Sequence, residues 1–259
     1  AQQTVVHDTL IYRTVDNINL QAHRFQLSNS SSEPAPAIIF FFGGGWVRGN
    51  PEQFFPHAEH LAKQGMVAFS AEYRVRQRHG TTPFEAVEDG MAAIQWLREN
   101  AEQLNIDPDR IVAAGGSAGG HVAACTGTIP HLKQNQLRSD ISYLPNVMIL
   151  FNPVIDTGPD GYGFDRLQER YAEISPVEHV SPDTPPTLIF HGTADSTVVF
   201  ENVLAFQDSM KAAGNRCEVM AFPGKEHGFF NFGRDDNIAY EKTVAKTDSF
   251  LIDLGFLNY

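Results

Sequence analysis

The strongest constraint on this chain is an alternation. Short runs of consecutive apolar residues, too short to be helices, alternate with longer stretches of helical periodicity. Residues 37–42 (Ala-Ile-Ile-Phe-Phe-Phe), 66–70, 111–114, 147–151 and 187–190 are the runs, with a further strand at 217–222; residues 52–64, 83–104, 118–126, 198–213 and 238–253 carry the helical pattern. A strand apolar at every position is buried on both faces, which happens in parallel sheets covered by helices on each side. The expected fold is therefore α/β, with a mostly parallel central sheet and helices on both faces. Residues 9–14 and 17–26 instead alternate apolar and polar around Asp16-Asn17, which predicts an N-terminal antiparallel hairpin. Residues 28–36 read as a loop. Residues 152–186 are rich in Pro, Gly, Asp and Tyr and weakly periodic. They read as an insertion over about 153–185 within a single domain spanning 1–259.

Composition excludes several classes. A net charge of −12 from 19 Lys+Arg and 31 Asp+Glu argues against nucleic acid as a partner, which needs a basic surface. It fits a neutral ligand. No apolar run approaches the ~20 residues that span a bilayer. Cys125 and Cys217 rule out a disulfide-dense scaffold, but they read equally as two free thiols or one bridge. The beginning Ala1-Gln2-Gln3-Thr4 reads as an N-terminus left by signal cleavage, so a secreted or periplasmic location is expected; a trimmed cytoplasmic chain is the alternative.

The most specific motif is Gly115-Gly116-Ser117-Ala118-Gly119, a G-x-S-x-G sequence between a predicted strand and a predicted helix. In that context it forms a nucleophile elbow, with glycines relieving clashes where the backbone turns sharply. On its own it could be an ordinary Gly-rich turn. Phe42-Gly43-Gly44-Gly45-Trp46 follows an earlier strand. Backbone N–H groups of Gly44, Gly45 and Ala118 are candidate oxyanion donors, because glycines let a developing negative charge approach. Serine also needs a base, and the base an acid. Asp195 stands just past a predicted strand, in His191-Gly192-Thr193-Ala194-Asp195, and His227 stands in the loop after the last one. The order Ser117…Asp195…His227 is that of a nucleophile-elbow hydrolase. Asp156 is the best rival acid. A surface histidine and a helix-capping aspartate are the bland alternatives.

These motifs, with Glu72-Tyr73-Arg74, Pro185-Pro186-Thr187 and His227-Gly228-Phe229, resemble the α/β-hydrolase-fold esterases of the hormone-sensitive-lipase-like and bacterial feruloyl-esterase-like group. The likeness runs from Tyr12 to near Phe250. It implies a serine carboxylesterase with Ser117, Asp195 and His227 as triad. The implied substrates are short acyl or acetyl esters, including acetylated or feruloylated carbohydrate. A prolyl-oligopeptidase-like peptidase and a catalytically silent binding protein are the alternatives. Two departures stand out. Phe42 occupies the position where the group usually has His, which leaves open how the glycine loop is stiffened. A short insertion also replaces a large cap. Trp46, His121 and Phe229 flank catalytic positions and are candidate substrate contacts, with core packing as the alternative; Tyr162, Phe164 and Tyr171 are candidates for a pocket rim. No cofactor is expected. His57-Ala58-Glu59-His60 lacks the spacing of a zinc helix, and no dinucleotide or phosphate loop is present.

Overall fold

A computed structural model describes residues 4–29, 31–133 and 135–258. The residues Ala1-Gln2-Gln3, on which the expectation of export rests, lie outside the described residues. Eight strands form one sheet: β1 (Val5–Val15), β2 (Ile18–Leu27), β3 (Ala35–Phe41), β4 (Val67–Ala71), β5 (Ile106–Gly116), β6 (Val147–Phe151), β7 (Thr187–Gly192) and β8 (Cys217–Phe222). Their order across the sheet is β1-β2-β4-β3-β5-β6-β7-β8. The first two strands form the expected hairpin, turning through Asp16 and Asn17 with φ of 50° and 62°, as a tight two-residue hairpin turn requires. β2 pairs antiparallel with β4, and every later pairing is parallel. This is the α/β-hydrolase architecture.

The apolar runs of β3 to β7 are buried on both faces because successive side chains alternate across the pleat, whereas β8, at the sheet edge, is half-buried over residues 218–220 and exposed at Ala221. Ile39 and Phe41 of β3 pack into the core on one side, Ile38 and Phe40 into the core on the other. The helices Pro83–Glu99, Ala118–Thr128 and Phe200–Ala212 contribute to the first, and Phe55–Lys63 and Ile238–Asp253 to the second. The long helical pattern over 83–104 breaks at Asn100, where φ −104° and ψ 18° leave the helix; a short turn, Ala101–Leu104, follows. The insertion holds only short helical pieces, Phe164–Leu167, Gln168–Ile174 and Pro176–His179. Cys125 and Cys217 are both buried and free. Among the described residues no helix is long and apolar enough to cross a membrane.

The parallel register decides where the loops emerge. Phe41 aligns with Gly115, Gly116 with Phe151, Phe151 with Phe190, and Gly192 with Phe222. The residues following β3, β5, β6, β7 and β8 therefore leave the sheet along one edge. From β3 the chain moves to β4 on one side, while β5 lies on the other. Such a reversal opens a crevice at the carboxyl ends of the strands.

Candidate active site

Ser117 leaves β5 with φ 53° and ψ −118°, a conformation that costs a non-glycine residue on the order of 1–3 kcal/mol. Three backbone bonds hold it there. Its N–H donates to Phe151 O (3.0 Å), and its carbonyl accepts from His121 N (3.0 Å) and Val154 N (3.2 Å). The turn needs glycine beside it: a Cβ on Gly119 would lie 2.1 Å from Phe41 O, so the helix Ala118–Thr128 could not cross the end of β3 so closely.

His227 Nε2 lies 2.9 Å from Ser117 Oγ, and His227 Nδ1 lies 2.7 Å from Asp195 Oδ2. A carboxylate only accepts, so Nδ1 carries the proton and Nε2 is left to accept from the serine hydroxyl. The other oxygen of Asp195 accepts from Thr197 N and Val198 N, each at 2.9 Å. Burial pushes the Asp195 carboxyl up, but the hydrogen bonds from His227 and Val198 outweigh it and hold the group below its usual value. The rival Asp156 turns inward, its Oδ1 accepting from Gly158 N at 2.7 Å. The His227 loop is pinned through Gly228 N, which donates to Asn152 Oδ1 at 2.8 Å, and through the His227 carbonyl, which accepts from Arg234 Nη1 at 3.1 Å.

The glycine loop lies beside Ser117. Gly43 N–H is occupied by Gln53 Oε1 at 2.7 Å. Among the described residues no acceptor takes the N–H of Gly44, Gly45 or Ala118. Gly44 has φ +132°, and a Cβ there would fall 2.0 Å from Arg48 O. Gln53 Nε2 also donates to Asn231 Oδ1 at 2.9 Å, tying the glycine loop to the His227 loop. The Phe42 question has a clear answer. Its ring stacks on Tyr73 at 4.3 Å and 16°, and its carbonyl accepts from the Tyr73 hydroxyl at 2.6 Å. An aromatic stack and a buried hydrogen bond stiffen the loop where a polar histidine side chain would otherwise do so.

The crevice in front of Ser117 is about 930 Å³ and is lined by the glycine loop, Asn152, Tyr162, Thr197, Phe230 and several arginines. Trp46, His121 and Phe229 are placed elsewhere. Each is at most 2% exposed, and none lines the crevice. Trp46 Nε1 donates to His121 Nδ1 at 3.2 Å, and His121 Nε2 donates to Ile174 O at 2.7 Å. Burial pushes His121 down to about 4, against the pull of the Ile174 carbonyl, so it is a neutral packing group behind the wall. Phe229 packs on Phe222 at 4.6 Å, and the next residue, Phe230, contributes to the crevice wall but is equally buried, stacked on Phe54 at 5.7 Å. Of the insertion aromatics, Tyr162 lines it and Phe164 and Tyr171 do not. Gln53, Asn152, Arg48, Arg76 and Arg166 were missed by sequence reasoning, because no motif or periodicity marks them.

Fold and site together define the class: an α/β-hydrolase of the esterase type. The chain belongs to the BD-FAE family, whose model matches residues 25–159 and 161–210. It is 31% identical over 220 residues to Esterase LipC of Mycobacterium tuberculosis, covering 76% of this chain and 54% of that protein. It is 30% identical over 209 residues to an acetylxylan esterase of Xylanibacter ruminicola, covering 74% and 41%. The chain thus spans about half the length of the curated relatives it matches. Among solved structures, Thermogutta terrifontis esterase 2 has a TM-score of 0.93 with 43–45% identity, over 98% of this chain and 96% of that one, in apo, propionate-bound and sarin-phosphonylated forms.

Proposed function

We propose that the protein is a serine carboxylesterase that hydrolyses small esters through an acyl-enzyme. The carrying observation is the unbroken chain from Ser117 Oγ through His227 to the buried Asp195. In this reading His227 Nε2 takes the hydroxyl proton as Ser117 attacks the ester carbonyl. The free N–H groups of Gly44, Gly45 and Ala118 receive the oxyanion, each worth on the order of 3–4 kcal/mol. His227 then protonates the leaving alcohol and activates the water that releases the acid. Asp195 holds the tautomer and stabilises the imidazolium. The backbone turn at Ser117 presents its Oγ toward His227 Nε2.

Short acyl groups, including acetyl groups on carbohydrate, are the favoured substrates. The solved relative binds propionate, one curated relative is an acetylxylan esterase, and this crevice is open to solvent with only Tyr162 and Arg166 reaching over it from the insertion. Feruloylated carbohydrate fits the same open mouth. A silent binding protein would be expected to lack a triad member, and all three are present.

The test is hydrolysis of p-nitrophenyl acetate through longer chains, of acetylated xylan and of methyl ferulate, by the parent and by Ser117→Ala. The parent should favour short chains and be silenced by a serine-reactive phosphonate, as the solved relative is phosphonylated by sarin. The variant should lose kcat by a factor on the order of 10⁶ while unfolding at the same temperature. Near-parent turnover in the variant would sink the mechanism.

A further inference from the structure

The crevice carries a charge pattern opposite to that of the whole chain. Arg13, Arg24, Arg74, Arg110, Arg138, Arg170 and Arg216 each lie within 4.0 Å of an Asp or Glu oxygen. Arg48, Arg76, Arg78, Arg98, Arg166 and Arg234 have no such carboxylate among the described residues. Arg98 is spent on the carbonyls of Pro108 and Ser142. Three of the other five share one crevice with Ser117. Arg48, Arg76 and Arg166 line the crevice, where Glu52 is the one carboxylate besides them. Arg78 lies over the Phe42 ring at 6.0 Å, and Arg234 holds the carbonyl of His227.

In a chain with net charge −12, six of thirteen arginines keep no carboxylate partner among the described residues, and three of those six line this one crevice. Arg166 is also held in position. It donates to the Gly45 carbonyl, and its guanidinium lies 5.7 Å from the Trp46 ring centroid and 5.4 Å from that of Tyr162. A planar guanidinium so fixed keeps donors for a carboxylate. We infer that the crevice takes esters bearing an anionic group, a carboxylate above all, which Arg48, Arg76 and Arg166 bind beside the reacting carbonyl. The inference rests on the esterase reading. It replaces the neutral ligand that the acidic composition suggests, because total charge acts over the whole surface while these cations act within hydrogen-bond reach.

Two matched pairs of substrates test it. Methyl glucuronoside and methyl glucoside acetylated at the same hydroxyl place the anion on the alcohol side; monomethyl succinate and methyl succinamate place it on the acyl side. At low salt the parent should favour the anionic member of at least one pair by about tenfold in kcat/KM, given up to roughly fivefold for each exposed ion pair. The preference should fade by about 0.5 M salt, where exposed charges are screened. In an Arg48→Gln/Arg76→Gln double variant, shown to be folded by thermal unfolding, the ratio of anionic to neutral kcat/KM should fall toward one. Equal rates within both pairs at low salt would overturn the inference and leave the esterase reading standing. An unchanged ratio in the double variant would overturn the assignment to these arginines. Inertness of the parent to all four esters and to a serine-reactive phosphonate would overturn both readings together.

Discussion

The crevice and the layer behind it are built from the same residue types under opposite rules. Behind the wall, polar groups are paired inward: Trp46 with His121, His121 with Ile174, and the Tyr73 hydroxyl with Phe42. In front of it, groups are left unsatisfied or strained: the free N–H groups of Gly44, Gly45 and Ala118, the backbone of Ser117, and arginines without carboxylates. His227 and His121 sharpen the contrast. Each uses both ring nitrogens, but His227 joins a hydroxyl to a carboxylate and is part-buried, whereas His121 joins an indole to a carbonyl in full burial. In the proposed mechanism the first gains and passes a proton; the second is held neutral by burial. Burial and partner, not residue type, separate chemistry from scaffolding here.

The comparison breaks if variants on the two sides fail in the same way. The largest effect after loss of Ser117 is expected for Asp195→Asn. The amide oxygen can still accept from Thr197 and Val198, but the amide nitrogen no longer accepts from His227 Nδ1–H. The imidazole tautomer reverses, and kcat should fall by about 10⁴ with little change in unfolding temperature. Next is Gly44→Ala. The new methyl meets the Arg48 carbonyl, the loop must open, and kcat for p-nitrophenyl acetate should fall by about 10²–10³. Behind the wall, Trp46→Phe removes the donor to buried His121 Nδ1. It should cost about 1–3 kcal/mol in urea unfolding and change kcat far less than Gly44→Ala does. A kcat loss as large as that of the glycine variant would show that the layer belongs to the machinery.

The broadest effect is on acid stability. Burial holds His57 down at about 3 and His121 at about 4, while both would titrate near 6.5 when unfolded. Between pH 6.5 and 4 the unfolded chain binds protons that the folded chain refuses. Stability should therefore fall on acidification through that window, by up to about 1.4 kcal/mol per pH unit for each histidine. His57 sits among aromatic rings with neither nitrogen hydrogen-bonded among the described residues, so His57→Phe should lower the slope by one proton. An unchanged slope, measured by urea unfolding across that range, would mean that His57 is protonated in the folded state.

Much of this was legible before any coordinates. Ser117, Asp195 and His227 each follow a strand end, and parallel strands deliver their ends to one edge. The expected strands at 147–151 and 217–222 are matched residue for residue by β6 and β8. Trp46, His121 and Phe229 read as substrate contacts because they neighbour site residues in sequence. Neighbourhood along a turn does not fix exposure: all three turn into the core, and even Phe230, which contributes to the crevice wall, is 1% exposed.

The sequence alone determined the layered sheet, the elbow and the order of its partners, because periodicity and glycine sterics act within a few residues along the chain. Tertiary structure decided that Tyr73 stiffens the Phe42 loop, that Gln53 bridges two loops, and which histidines are wet. It also gathered Arg48, Arg76 and Arg166 at one opening of an acidic protein. Those outcomes depend on distance and solvent exposure between segments up to more than a hundred residues apart, and no local pattern carries that information.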